Sequence, residues 1–309
     1  MDIAAYLKEQ SRLVDAALDR YTAIKAPRTG PGGVTLRLED APQAVLEAMR
    51  YSLMAGGKRL RPALVIAAAD LFSVPAEQVM PAACALEMIH TYSLIHDDLP
   101  CMDDDDLRRG RPTNHKVYGE AMATLAGDGL LTLAFELLSL QAQVAGVTAG
   151  QAIRVIQEIA VAAGAGGMVG GQVEDLAWEG RRAGPETLRQ IHRLKTGALF
   201  KAALRSGGIL GGATAAELAQ LDGFADHFGL AFQIQDDVLD VMGDAALTGK
   251  GVGRDEKHDK STYVSHYGLE GAAALASQEV AAAQSALATF GSRASVLVSL
   301  AQFVVDRQG

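Results

Sequence analysis

Nearly every segment of this chain reads as helix, and most of the helices are apolar almost all round. A helix with no polar face must be buried among other helices, so the pattern demands a multi-helix packed interior. Residues 2–24 read as an amphipathic helix, and the Pro and Gly of residues 26–33 mark a loop. Helices are expected over 41–54, 62–72, 77–98, 119–143, 149–178, 185–210, 214–228, 229–242, 268–289 and 291–306. Pro42 is tolerated in a first helical turn. Val34-Thr-Leu-Arg-Leu38 alternates like a strand, but one short segment makes no sheet. No βαβ rhythm and no fixed-period repeat appears. The expectation is one all-α domain spanning 1–309, built as a single large helical bundle.

Composition removes several function classes. With 309 residues, 49% hydrophobic and 21% charged, the chain is globular rather than disordered. Its net charge of -9 offers no basic footprint for nucleic acid. Two cysteines make no disulfide framework, and no Cys-x-x-Cys pair suggests zinc. Unbroken apolar runs such as Ala63 to Ala69 fall short of the roughly 20 residues that a membrane span needs. The polar N-terminus shows no apolar signal core. A soluble, cytoplasmic protein with no membrane span is therefore expected.

The chemistry is concentrated in two acidic stretches, each at the end of an apolar helix. The first is His96-Asp-Asp-Leu-Pro-Cys-Met-Asp-Asp-Asp-Asp106 and the second Phe232-Gln-Ile-Gln-Asp-Asp-Val-Leu-Asp240. One acidic run is ordinarily a solvated loop. Two in the same setting point to a hard divalent cation, because magnesium takes a few carboxylates plus phosphate oxygens. Asp236 and Asp240 are four apart, about 40° from each other on a helix face. Asp97 and Asp103 are six apart, about 120° on a straight helix, with Pro100 between them. The chain must bulge or turn there for Asp103 to face back. Two such clusters facing each other would hold magnesium ions with a diphosphate between them.

Basic residues accompany the acids. They are Lys58-Arg59-Leu-Arg61, Arg108-Arg109-Gly-Arg111, Lys195-Thr196-Gly197, and Lys250 and Lys260 around a glycine-rich loop. Arginine forks suit phosphate oxygens, and lysine acts as a point charge. Arg59, Arg111 and Lys257 taken alone read equally well as ion-pair partners of nearby acids. His90, seven before Asp97, shares nearly the same helix face; a phosphate contact and a plain core histidine are evenly matched there.

In this order, these motifs resemble the trans-prenyl diphosphate synthase family, over about residues 45–265. The matching segments are Gly56–Pro62, His96–Asp103, Leu107–Thr113, Lys195–Gly197, Phe232–Asp240, and Gly249-Lys250 with Lys260. The resemblance implies the isoprenoid synthase fold, with a central apolar cavity, and a homodimer. It implies that Asp97, Asp98 and Asp103, with Asp236, Asp237 and Asp240, hold several magnesium ions, manganese being a substitute. Lys58, Arg61, His90 and Arg109 would bind isopentenyl diphosphate. Arg108, Lys195 and Lys250 would bind the allylic diphosphate. Thr196 and Gln233 would flank the reacting carbons, Lys260 would add positive charge, and Gln172 and Asp175 would support the site. Arg254 departs from the small polar residue usual in relatives.

The allylic tail would run from Asp97 back toward Tyr92, five residues or about 7.5 Å of helix. The resemblance associates a large aromatic at Tyr92, beside small Ser93, with C15 products. Farnesyl diphosphate is the expected product, with geranylgeranyl diphosphate second. Both aspartate motifs are intact, which argues against a non-catalytic synthase subunit. A His-Asp metal phosphohydrolase would need separate histidine ligands. A di-iron bundle would need paired Glu-x-x-His ligands, which are lacking. A terpene cyclase would not require the second diphosphate site that Lys58, Arg61 and Arg109 suggest.

Overall fold

The computed structural model describes residues 2–25, 28–242 and 261–307. Lys250, Arg254, Lys257 and Lys260 lie outside the described residues. Two compact units divide the chain, one of residues 2–156 and the other beginning at 157.

In the first unit, helix α1 (Ile3–Tyr21) starts at Asp2, whose carboxylate accepts the Ala5 N–H at 3.0 Å. Helices α2 (Gln43–Leu53), α3 (Leu60–Asp70) and α4 (Ala76–Asp97) follow. Every residue from Pro62 to Ala69 in α3 and from Val79 to Ile89 in α4 is buried, as the all-round apolar pattern requires. Pro81 inside α4 removes a ladder donor, and the chain answers with a side chain. The amide of buried Gln141 accepts from Ala82 N–H at 3.1 Å and donates to the Gln78 carbonyl at 2.8 Å. Those two groups would otherwise pair with each other in a regular helix. Past α4 come a two-residue hairpin, Leu107–Arg108 against Arg111–Pro112, and helices α5 (Asn114–Tyr118) and α6 (Glu120–Ser139). Helix α7 (Ala149–Ala163) carries the chain from the first unit into the second.

The second unit contains α8 (Met168–Trp178), α9 (Pro185–His192), a π-helical turn (Arg193–Gly197), α10 (Ala198–Leu210), α11 (Ala215–Met242), α12 (Tyr263–Ala286) and α13 (Ser295–Asp306). Its core includes Phe200, Phe224 and Phe228, all fully buried. The Phe200 and Phe228 rings meet edge to face at 5.3 Å, and Phe224 stacks on Phe228 at 5.4 Å. Leu188, Ile234, Val238 and Tyr263 form a further cluster.

The all-α expectation holds, with corrections. The helix expected over 149–178 is two, interrupted among the glycines 164–167, where backbone freedom opposes helix. The two helices expected over 214–242 are one. Gly229 lies inside it not as a break but as a contact, since a Cβ there would come 3.2 Å from the Gly197 Cα. The residue 34–38 alternation is real: Val34 and Leu36 are buried, and a single bridge joins Thr29 to Thr35. The 107–112 hairpin went unforeseen, because its turn requires positive φ at both Arg109 (54°) and Gly110 (72°), and arginine does not advertise that. Three helical stretches, Glu120–Gln143, Ala149–Trp178 and Ala288–Asp306, are long and apolar enough by length and composition to cross a membrane. Unbroken apolar runs understated them, since glycine and single polar residues interrupt each without lowering its average much. Between 39% and 44% of their most apolar windows is already buried within the protein, so much of this apolar character serves the fold's own interior.

Candidate active site

Helix α4 delivers Asp97 at its last residue. The turn that follows is tight: Asp103 N–H donates to the Asp97 carbonyl at 2.9 Å and Met102 N–H to the Leu99 carbonyl at 2.9 Å. This is the reversal that the six-residue spacing and Pro100 demanded. It puts Asp97 and Asp103 on one turn of chain. Asp98 has a different environment. It is 3% exposed, and both its oxygens accept from Arg108 Nε, at 2.7 and 2.9 Å, while Arg108 Nη2 lies 2.6 Å away. Burial would lower the Arg108 pKa, but the Asp98 hydrogen bond and the charges of Asp98, Asp105 and Asp97 carry it above the usual arginine value.

Beside this turn lies a basic cluster in the same unit. Arg109 donates to the Gly56 carbonyl, tying the hairpin turn to the 56–61 loop. His90 is held well below the ordinary histidine pKa, first by burial and then by the positive charge of Arg61, Arg109, Arg108 and Arg59. Arg108 and Arg59 are balanced by their own carboxylates, so the positive charge felt by His90 comes chiefly from Arg61 and Arg109. Arg59 is ion-paired, as its neighbours allowed, with Glu87 and Asp15. Arg111 instead stacks its guanidinium over the Tyr51 ring at 4.5 Å. Tyr92 is 7% exposed, contacts the His96 ring edge to face at 5.7 Å, and has its phenol pKa raised by burial and then by Asp97. Ser93 donates to the His90 carbonyl at 2.9 Å.

The second unit gathers another set. Lys195 and Thr196 sit in the π-helical turn, a geometry frequent at functional sites. Lys195 Nζ is 2.6 Å from Asp175 Oδ2, and Thr196 Oγ1 donates to Gln233 Oε1 at 3.0 Å. Thr196 and Gln233, expected to flank the reacting carbons, are thus adjacent, and Lys195 meets Asp175, a pairing not foreseen from the sequence. Asp236 is ion-paired with Arg307, whose guanidinium also lies 4.2 Å over the Phe232 ring. Asp306-Arg307 resembles the basic tail end of the family, but 71 residues separate Arg307 from Asp236, and nothing in the sequence signals that they pair. Asp237 is 5% exposed and accepts the Tyr263 N–H at 2.8 Å, at the start of α12.

Among the described residues, no three Asp, Glu, His or Cys side chains converge to hold a metal. Asp98 and Asp237 are turned to protein donors, because a buried carboxylate must be paired. The donor chemistry of Asp97, Asp103, Asp236 and Asp240 still fits a hard cation, being oxygen only and carboxylate only.

His192, next to the π-helical turn, gives a pH prediction. Burial, opposed by Asp175 and aided by Lys195, pushes its pKa down to about 4. The unfolded chain takes a proton near pH 6.5, which the folded chain refuses until about pH 4. Stability therefore falls as pH drops through this window. The expected loss from His192 is about 2 kcal/mol between pH 7 and pH 5. Urea unfolding at both pH values, compared with His192→Gln, checks it: the variant should lose less.

Comparison with known proteins fits this arrangement. The polyprenyl synthetase family model matches residues 42–290, and the chain belongs to that family. It is 43% identical over 307 residues to a farnesyl diphosphate synthase of Geobacillus stearothermophilus, covering 99% of this chain and 98% of the relative. It is 45% identical over 304 residues to a chloroplastic geranylgeranyl pyrophosphate synthase of Capsicum annuum, covering 98% of this chain and 78% of the relative. The crystal structure of a FPP/GFPP synthase from Zymomonas mobilis superposes with a TM-score of 0.84 at 38% identity, covering 98% of this chain and 99% of that one.

Proposed function

We propose that this chain is a short-chain prenyltransferase that condenses isopentenyl diphosphate with dimethylallyl and geranyl diphosphate to give farnesyl diphosphate. One observation carries the reading: the positive charge of Arg61 and Arg109 beside His90, with Arg108 joining this group to the reversed turn that bears Asp97 and Asp103 through its pair with Asp98. Such a locus suits a diphosphate, and the neighbouring carboxylates suit the cation that a second diphosphate brings. The family model runs through the junction at residue 156, which supports a single catalytic domain over 1–309.

The reaction breaks the allylic carbon–oxygen bond, and the diphosphate leaves with the electron pair. The isopentenyl double bond attacks the resulting cation. A proton is then lost from the adjacent carbon to the departed diphosphate. Lys58, Arg61, His90 and Arg109 hold isopentenyl diphosphate; Arg108, Lys195 and Lys250 hold the allylic diphosphate, with Lys260 adding charge. Preorganised cations stabilise the negative charge that builds on the leaving group without reorganising at the moment of reaction. Thr196 and Gln233 orient the reacting carbons. Asp97, Asp103, Asp236 and Asp240 would hold magnesium, which when bound neutralises charge on the leaving diphosphate. Asp98 and Asp237, given the same role by resemblance, hold Arg108 and the start of α12 in the structure. The reading includes a homodimer in the cytoplasm, which sedimentation and fractionation test.

Tyr92 is assigned as the floor of the tail pocket because it is bulky, buried and one and a half helical turns before Asp97. Tyr92→Ala should shift the main product from C15 to C20 or longer, read by sizing the dephosphorylated products. An unchanged product would remove Tyr92 from that role. The function itself is tested with magnesium, labelled isopentenyl diphosphate and C5, C10 or C15 starters. C15 from the two shorter starters is expected. Efficient elongation of the C15 starter would instead favour geranylgeranyl diphosphate, in line with the Capsicum annuum relative. No condensation would overturn the catalytic reading.

A further inference from the structure

The loop joining α2 to α3 carries three basic residues of unlike placement. Lys58 is exposed and Arg61 half-buried, but Arg59 between them is 2% exposed. Its backbone is left-handed, at φ 47° and ψ 40°, a costly conformation for a residue with a Cβ. Its guanidinium makes three separate bonds. Nε donates to Asp15 on α1 at 2.8 Å, Nη1 to Glu87 on α4 at 2.6 Å, and Nη2 to the Leu53 carbonyl at the end of α2 at 2.6 Å. Burial would lower its pKa, but the charges of Glu87 and Asp15 outweigh that and raise it. Glu87 is itself 2% exposed and stands one helical turn before His90.

We propose that Arg59 is a positioning residue for the isopentenyl diphosphate site. Its planar fork locks the 56–61 loop to three helices, so that Lys58 and Arg61 stand in register with His90. Lysine could not replace it, having one donor point where three directions are needed. The strain at φ 47° persists because the three bonds over-determine the conformation. Arg59 touches no substrate in this scheme; Asp15 and Glu87 act only through it. The inference rests on the reading of Lys58, Arg61, His90 and Arg109 as the diphosphate-binding set.

The experiment compares Arg59→Lys, Asp15→Asn and Lys58→Ala with the parent enzyme. Isopentenyl diphosphate is varied at saturating geranyl diphosphate, then the reverse, with urea midpoints recorded for each variant. Asp15→Asn keeps the Glu87 and Leu53 bonds and exchanges only the charged acceptor of Nε for a neutral amide oxygen, so it folds even where Arg59→Lys does not. Loss of register should raise the KM for isopentenyl diphosphate, roughly fivefold in Asp15→Asn and roughly thirtyfold in Arg59→Lys. The kcat and the KM for geranyl diphosphate should stay within about twofold. A merely structural role would lower the urea midpoint with no selective change in KM, and that result overturns the proposal. If Lys58→Ala leaves the KM for isopentenyl diphosphate unchanged, the underlying site assignment fails instead. If Lys58→Ala raises it while Asp15→Asn and any folded Arg59→Lys do not, the site stands and the positioning role falls.

Discussion

Asp97→Ala should reduce kcat on the order of a thousandfold while leaving the unfolding free energy within about 0.5 kcal/mol of the parent. Asp97 is half-buried at the end of α4, and its backbone carbonyl, which the substitution keeps, is what accepts the Asp103 N–H. The turn therefore survives, and only the carboxylate is lost. On the proposed reading that carboxylate would bring a cation to the leaving diphosphate, whose developing charge the site must stabilise. Asp98→Ala sets the contrast. Asp98 is buried against Arg108, so its removal strands a buried guanidinium and should cost roughly 3–5 kcal/mol of stability. Steady-state rates and urea curves of the two variants check both halves. Equal loss of stability in the two would mean that Asp97, too, is structural.

Gly171→Ala should damage both the stability and the activity of the second unit. A Cβ at Gly171 would come 2.2 Å from the Lys195 backbone N, 2.6 Å from its Cα and 2.8 Å from the Leu194 carbonyl carbon. Those are backbone atoms of the π-helical turn, and no rotamer change relieves them. Helix α8 and the turn must separate, moving Lys195 away from Asp175 and Thr196 away from Gln233. A loss of roughly 3 kcal/mol or more is expected, together with a kcat falling by about a hundredfold. Gly150→Ala is the control: its nearest neighbour is the Thr148 hydroxyl at 4.0 Å, and a helical alanine there is neutral or slightly favourable. Urea unfolding and kcat measured on both variants decide the matter. A Gly171→Ala protein as stable as the parent would contradict the close approach of α8 to the turn.

Several features were legible because short-range chemistry determines them. The helical extent follows from long apolar segments punctuated by proline and glycine. The reversal after Asp97 follows from six residues and a proline. Thr196 was placed with Gln233 by resemblance to relatives rather than by spacing, whereas the pairing of Lys195 with Asp175 came only from the structure. Other features depend on partners distant in the chain. Whether Asp98 faces a metal or Arg108 depends on a hairpin with positive φ at an arginine. Arg59, Arg61 and Lys58 look alike in sequence, and only Asp15 and Glu87, 44 and 28 residues away, distinguish the buried one.

By itself, then, the sequence determined the class of fold, the two acidic helix ends and the kinds of group placed near them. Apolar helix-forming segments, proline and glycine act within a few residues. The tertiary structure decided which carboxylates and guanidinium groups are spent on each other. Burial decides this: a charge taken out of water must find a partner, and that partner is supplied by packing between helices remote in the chain. Asp98 with Arg108, Asp236 with Arg307, and Arg59 with Asp15 and Glu87 are all choices of that kind.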